Sequence, residues 1–227
     1  MKYKMDWTNN TQFFTYIGII FSSIGATLIL SIASFIIATT IALLLSFIEI
    51  FGPRNLVKAV EWYVKIVRGM PLILALFIFY YGLPRAGFPL PPLYSAILGI
   101  ALVDSAYQEQ LFRGAIESVS ERQVEAAYSI GLTHWGTFRY IIFPQAFRIA
   151  IPGWINEFSI VLKDSSIAYA IGVVEVFTQA VHIAQVIADY LKPLLIVSLV
   201  YLCICYPLSC VSNRFHRKLL EMGMIGG

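Results

Sequence analysis

The apolar run from Phe13 to Phe51 constrains the fold of this 227-residue chain more than any other feature. A helix needs about 20 apolar residues to cross the hydrocarbon core of a bilayer, so this run is too long for one perpendicular span. We therefore divide it into a helix at the membrane interface near 10–22 and a first span near 23–50. Across the chain 59% of residues are hydrophobic and 13% are charged, whereas soluble domains carry roughly 25% charged residues. The sequence predicts an all-α integral membrane protein.

Further apolar segments bring the predicted number of transmembrane helices to about five, in a single membrane domain. We expect an external segment with the interfacial helix at 1–22, spans one to three at 23–113, a cytoplasmic loop at 114–144, spans four and five at 145–212, and a cytoplasmic tail at 213–227.

Three boundaries inside these parts follow from local composition. The second span is predicted near 58–83. The fourth span is expected to end near Leu162, where the polar run 163–166 interrupts the apolar pattern before a shorter apolar piece at 167–182. An external loop is predicted at 183–192, immediately before the fifth span.

The distribution of basic residues predicts the orientation, because cytoplasmic loops carry an excess of Lys and Arg. With five spans, four basic residues fall outside: Lys2, Lys4, Arg85 and Lys192. Eleven fall inside: Arg54, Lys58, Lys65, Arg68, Arg113, Arg122, Arg139, Arg148, Arg214, Arg217 and Lys218. The N-terminus is therefore expected outside, and the loop at 114–144 in the cytoplasm.

The segment 120–144 is the longest polar, amphipathic stretch of the chain. Ser120 and Gln123 have the spacing of a capping box, which marks a helix start. Gly131 is a plausible helix C-cap, and Pro144 is expected to close the segment because proline interrupts a helix. We predict two short helices joined at Gly131, outside the bilayer, with Trp135 on their apolar face.

This segment resembles the EAA loop of ABC importer permeases. The resemblance rests on Glu125, Ala126, Ala127 and Gly131, followed by Pro144 at the family's spacing. It extends to three further blocks: 67–84, 106–119 and 144–172, the last similar to the polar amino-acid branch of that family. It implies a type I permease fold in which Glu125, Ala126, Ala127, Gly131, Trp135 and Pro144 form the surface that couples to an ATPase.

The resemblance also implies the partners. Two ATP-binding cassette subunits would bind ATP and Mg, a second permease subunit, identical or paralogous, would complete the path, and an extracytoplasmic solute-binding protein would deliver a polar amino acid. The chain itself has no Walker-type phosphate loop, so no cofactor is expected in it. A prokaryotic cell membrane is the expected location, and no nucleic acid is expected as a partner.

Ionisable residues inside a membrane are costly and usually face a bundle interior or an aqueous cavity. The predicted spans contain several ionisable residues, among them Glu109 and Glu157. From these residues and their polar neighbours we select five candidates for the substrate path: Asp104, Tyr107, Asn156, Lys163 and Asp164. Asp104 either binds a cationic group of the substrate or locks two helices together by hydrogen bonds. Asn156 is preferred to its neighbour because a carboxamide carries no charge penalty, and Lys163 and Asp164 are expected to pair or to fix a break in the fourth span.

Two other classes of function remain open on the residues alone: a gradient-driven transporter or channel, and a structural membrane protein without a path. Catalysis by this chain is not expected, because no nucleophile and base are brought together by the pattern. The cysteines Cys203, Cys205 and Cys210 share one apolar helix without other metal-ligand types, so no metal site is expected.

Overall fold

The computed structural model describes residues 10–223 and, for side chains, residues 14–223, and every regular element within them is helical. The helices are α1 (Asn10–Ser22), α2 (Ile24–Phe51), α3 (Arg54–Arg68), α4 (Leu72–Phe77), α5 (Leu83–Arg85), α6 (Pro92–Glu117), α7 (Glu121–Ser129), α8 (His134–Thr137), α9 (Phe143–Asp164), α10 (Val176–Ile187) and α11 (Leu191–Glu221). Two π-helical turns, Ile78–Gly82 and Phe138–Ile142, and a 3₁₀ helix, Ser165–Ile171, join some of them without a loop. The predicted all-α class is confirmed.

Helix α6 lies at the centre of the bundle and packs against α2, α3, α4 and α9. Thirteen of its 26 residues are buried, and the polar side chains among them, which include Asp104, Gln108 and Glu109, therefore face protein and not lipid. Gly99 allows close contact between α6 and α4, since a Cβ there would lie 3.2 Å from the Cα atom of Leu76 in α4. This central position explains how a helix with several charged residues is accommodated in a membrane protein.

Two helical stretches of the described chain are long and apolar enough to cross a membrane: Phe14–Phe51, which joins α1 to α2, and Leu191–Glu221. Up to four cross if each of two bent helix pairs counts as one span. Helix α6 is not among them, although its 26 residues extend about 39 Å. The membrane-spanning character of the fold is confirmed, while five spans stay a prediction.

The second span predicted near 58–83 is not one straight helix. The axes of α3 and of the following segment Leu72–Arg85 differ by 102°. The turn falls at Gly69–Pro71, where Pro71 has an extended backbone and begins α4. Helix α3 is amphipathic and packs Val60, Val64 and Val67 on the core.

The fourth span is predicted to end near Leu162, and α9 ends two residues later, at Asp164, but the chain then continues without a loop as a 3₁₀ helix. The hydroxyl groups of Ser165 and Ser166 donate to the carbonyl oxygens of Leu162 and Lys163, respectively, at 2.7 Å. Both serines lie in the first turn of the 3₁₀ helix. The break comes at Gly172, whose φ of 80° ends the helix, and α10 follows at a bend of 50°.

The predicted external loop 183–192 is much shorter in the structure, because α10 runs to Ile187 and α11 begins at Leu191. Helix α11 also continues through most of the predicted tail, as far as Glu221. The predicted boundary between 22 and 23 coincides with the junction of α1 and α2 at Ser23. The rest of the predicted external segment, 1–9, and the last four residues of the tail, 224–227, lie outside the described residues.

Candidate coupling surface and translocation pocket

The junction of α7 and α8 is a Schellman motif centred on Gly131. The backbone N–H of Leu132 donates to the carbonyl oxygen of Ala127 at 3.1 Å, and the backbone N–H of Gly131 donates to the carbonyl oxygen of Tyr128 at 2.9 Å. Gly131 has a φ of 86°, a left-handed conformation that glycine adopts without steric cost. The predicted helix C-cap at Gly131 and the two helices on either side of it are confirmed.

The capping box predicted at the start of α7 does not form. Ser120 occupies the N-cap position, but its side chain makes no capping hydrogen bond. The side chain of Gln123 instead accepts a hydrogen bond from Gln145 Nε2 in α9 at 2.5 Å. The residue that would have closed the box therefore ties α7 to α9.

Most of the α7 surface is free of intramolecular contacts. Ala127 is the one buried residue of this helix, whereas Glu125 and Ala126 are exposed. Just beyond the helix, the apolar side chain of Ile130 is 79% exposed. An exposed face combining a carboxylate, a small residue and a large apolar residue is suited to packing against another protein.

The short helix α8 is fastened to the end of α2 by aromatic contacts. The ring of Trp135 lies 5.5 Å from that of Phe51 and 5.9 Å from that of Phe138. The ring of His134 lies 5.3 Å from Phe51, and its Nδ1 atom is hydrogen-bonded to the Tyr128 hydroxyl at 2.9 Å. Trp135 thus joins the segment to the transmembrane bundle, while half of its own surface stays exposed.

Pro144 does not close this segment, contrary to the expectation from sequence. It lies in the first turn of α9, where a missing N–H is tolerated. The π-helical turn Phe138–Ile142 connects α8 to α9, and the chain remains one helical rod from His134 to Ile171. Residues 134–144 and the fourth predicted span therefore belong to one continuous helical stretch.

An acidic pocket of about 410 Å³ lies among α4, α6 and α9. Its polar lining consists of Asp104 and Tyr107 from α6 and of Glu157 and Asp164 from α9. Glu157 approaches Asp104 closely enough for the two carboxyl groups to interact. Three carboxyl groups face one cavity, so its lining supplies oxygen acceptors for a cation or a cationic side chain.

Asp104 belongs to a hydrogen-bonded link between helices, one of the two roles that the sequence left open, and its binding of a cationic group stays a prediction. It is 5% exposed, and its Oδ2 atom accepts a hydrogen bond from Gln108 Nε2 at 2.7 Å. Gln108 Oε1 in turn accepts hydrogen bonds from Thr39 of α2 at 2.7 Å and from Trp154 of α9 at 3.2 Å. Within the described residues the buried Asp104 Oδ1 atom has no hydrogen-bond partner, so only one oxygen of this carboxyl group belongs to the three-helix network.

The remaining pathway candidates occupy different surroundings. Tyr107 is 40% exposed, and the guanidinium carbon of Arg68 lies 5.1 Å from its ring centroid. Asn156 is exposed and does not line the acidic pocket. Lys163 is also exposed and forms no ion pair with Asp164 in the part of the chain that the structure describes.

Sequence reasoning passed over Glu157 in favour of Asn156, and adjacent helical residues are separated by about 100°. The seven-residue spacing of Glu157 and Asp164 is the available signal, because it places two carboxylates on one helix face. Gln108 and Trp154 were missed because their partner, Thr39, comes from a distant part of the sequence.

Metal binding finds no support in residues 10–223, where no three His, Cys, Asp or Glu side chains converge suitably. The cysteines are free thiols in α11.

A helical membrane bundle with a polar pocket among its helices and an exposed amphipathic coupling segment defines the membrane component of a transport system. Residues 46–221 match the family of binding-protein-dependent transport system inner membrane components, and the chain belongs to that family. The resemblance to ABC importer permeases that the EAA segment suggested is thereby confirmed.

Two relatives come from Bacillus subtilis. The probable amino-acid permease protein YxeN is 36% identical over 85% of this chain and 88% of its own length. The L-cystine transport system permease protein TcyB is 36% identical over 85% of this chain and 83% of its own. The crystal structure of an amino acid ABC transporter with histidines superimposes with a TM-score of 0.86 at 29% identity, covering 92% of this chain and 98% of that one.

Proposed function

We propose that this chain is the membrane-spanning subunit of an ATP-driven importer that moves polar amino acids into the cytoplasm. The observation that carries the proposal is the exposed EAA face of α7, which Gln123 ties to α9 and which α8 connects to Phe51 of α2. Its membership of the binding-protein-dependent family and its amino-acid permease relatives support the class of substrate.

Energy enters through the coupling surface, which we define as Glu125, Ala126, Ala127, Gly131, Trp135 and Pro144. Two partner ATPase subunits bind ATP and Mg and dock against this surface. When the ATPases close, α7 moves with them, and the helical rod His134–Ile171 transmits the displacement to the acidic pocket. The movement requires contacts that differ between the two states of the ATPases.

The complete path needs a second permease subunit, identical or paralogous, and an extracytoplasmic binding protein that delivers the amino acid. The excess of basic residues supports a cell-membrane orientation with the N-terminus outside and α7 in the cytoplasm.

The acidic pocket is the proposed substrate site, and its charge favours an amino acid with a cationic or amide side chain over an acidic one. Asp104, Glu157 and Asp164 would surround the positive group. The relatives named for cystine and solved with histidines do not share one side chain, so this preference rests on the charge of the pocket.

Co-purification with the ATPase tests the proposal. We expect Glu125→Arg and Gly131→Ala to lower the recovered ATPase at least tenfold, because the first reverses a contact charge and the second strains the Schellman motif that aims α7. Gly87→Ala is the matched control, since Gly87 has a similar φ of 90° but lies in a different loop. Recovery of the ATPase with both variants, or no recovery with the wild type, would contradict the proposal.

A gradient-driven transporter is the second candidate, and the facing carboxyl groups of Asp104 and Glu157 favour it, because such pairs act in proton relays. Uptake into proteoliposomes separates the two. The ABC proposal expects uptake to require ATP and to survive a protonophore, whereas uptake that collapses with the proton gradient and needs no ATP supports the second candidate.

A further inference from the structure

A second cleft of about 600 Å³ lies beside the acidic pocket, between α3 and α6. Tyr107 lines both cavities, and Gly69 in the second cleft is followed directly by Met70 in the first. The two cavities are therefore neighbours separated by the ring of Tyr107.

The second cleft has the opposite charge. Its ionisable lining residues are Lys65, Arg68 and Arg113, against the single carboxylate of Glu61. Arg113 is already engaged, because it forms ion pairs with Glu117 at 2.8 Å and with Glu49 at 3.4 Å. Arg68 and Lys65 form no ion pair with any described residue.

Arg68 is held in place by uncharged partners. Its guanidinium stacks over the ring of Tyr107, and its Nη1 atom donates a long hydrogen bond of 3.4 Å to Gln110 Oε1. Cation–π stacking fixes the plane of the guanidinium without neutralising it. Most of its five N–H donors remain available in a geometry that matches a carboxylate.

The arrangement of charges matches a zwitterion. Asp104 and Tyr107 are one helical turn apart on α6, at a spacing of about 5–6 Å between neighbouring side-chain bases, and the guanidinium carbon of Arg68 lies 5.1 Å from the Tyr107 ring centroid. One amino acid is long enough to place a positive group among the carboxylates while its α-carboxylate reaches the guanidinium.

We propose that Arg68 binds the α-carboxylate of the transported amino acid and that Tyr107 positions it. This assignment rests on the proposed function and adds to it a rule of specificity. The chain selects substrates that carry a carboxylate, and it discriminates against amines of otherwise identical shape.

Equilibrium binding of radiolabelled L-arginine and of agmatine, its decarboxylated analogue, to the permease–ATPase complex in nanodiscs tests the proposal without the binding protein. Wild-type complex should bind L-arginine roughly 10–100-fold more tightly than agmatine, the range expected for a charge-assisted hydrogen-bonded pair. Arg68→Gln should weaken L-arginine binding by that factor while leaving agmatine binding equal or tighter. These opposite changes would not follow from general misfolding.

Lys65→Gln is the matched control, because it removes one positive charge from the same cleft. It should change both affinities less than threefold, and equal effects of the two variants would show that only the net charge matters and overturn the role of Arg68. Tyr107→Ala should weaken L-arginine binding, whereas Tyr107→Phe, which keeps the ring, should not. If wild type binds L-arginine and agmatine equally, the inference fails and the proposed function stands; if wild type binds neither, the acidic pocket is not the substrate site and both fail.

Discussion

Asp104 is a buried carboxyl group that needs hydrogen-bond donors from its neighbours. A buried carboxylate without hydrogen-bond partners costs several kcal/mol, so its surroundings must compensate. Gln108 does this for Oδ2 and, in the same step, links α6 to Thr39 and Trp154 on two other helices. The sequence identified Asp104 as unusual but gave no indication of Gln108, because the network is completed only when α2, α6 and α9 pack together.

Replacing Gln108 by leucine should therefore destabilise the fold by about 2–3 kcal/mol, since it leaves Asp104 Oδ2 buried without a donor and the Trp154 N–H with one fewer acceptor. A thermal-unfolding series on the purified complex in detergent measures the loss. The variant Gln185→Leu introduces the same change at an exposed position of α10 and should shift the midpoint very little.

The double variant Asp104→Leu with Gln108→Leu removes the unsatisfied carboxylate as well. We expect it to recover part of the stability lost in the single variant. A double variant less stable than Gln108→Leu alone would show that Asp104 contributes through other contacts.

At the scale of elements, hydrophobic periodicity located most helices but not their bends. It placed the junction near residue 23 and the helix pair around Gly131, because small residues and glycine leave a local signature. It gave the second span as straight, although Gly69 and Pro71 stand at the 102° turn, because the same residues also occur inside kinked but continuous helices. It placed the end of the fourth span within two residues of the end of α9, but it did not predict the 3₁₀ helix Ser165–Ile171 that follows without a loop.

The contact between α4 and α6 depends on Gly99, and Gly99→Ala tests it. The added methyl group would lie 3.2 Å from backbone atoms of Leu76, which forces the helices apart, and overpacking of this kind costs about 1–3 kcal/mol. Thermal unfolding should show a lower midpoint.

Gly114→Ala provides the control, because Gly114 lies in the same helix and has no atom within 4 Å of a built Cβ. Alanine there should be neutral or stabilising by up to about 1 kcal/mol, as its helix propensity is higher. Equal destabilisation by the two variants would show that the close contact at Gly99 is unimportant.

At the scale of the whole molecule, composition alone was sufficient to predict a membrane protein, and four ordered motif blocks were sufficient to predict the family. Acidic residues were recognised as candidates, but which of them share a cavity was not predictable. Asn156 and Glu157 are adjacent in sequence, and the rotation of α9 in the bundle decides that Glu157 lines the pocket. That rotation is set by packing over the full length of α9 and has no local signature.

The predicted orientation is a property of the whole chain and has a direct test. In a variant whose three cysteines are replaced by alanine, Gly87→Cys should react with a membrane-impermeant maleimide added to intact cells. Ser129→Cys, on α7, should react only after the membrane is permeabilised. Reaction of both or the reverse order would contradict an external N-terminus and a cytoplasmic α7.

In the proposed mechanism, the continuous helical stretch from His134 to Ile171 acts as a lever arm that carries a movement of α8 to Glu157. Glu157 lies 23 positions beyond His134, so the two are about 35 Å apart along the axis. A tilt of about 10° at the α8 end would sweep the carboxylate through roughly 6 Å, comparable with the width of a substrate, without any change of side-chain rotamer. The size of this displacement then depends on the stiffness of the π-helical turn Phe138–Ile142. A deletion there would rotate the face of α9 that carries Glu157 away from the pocket, while leaving α7 intact.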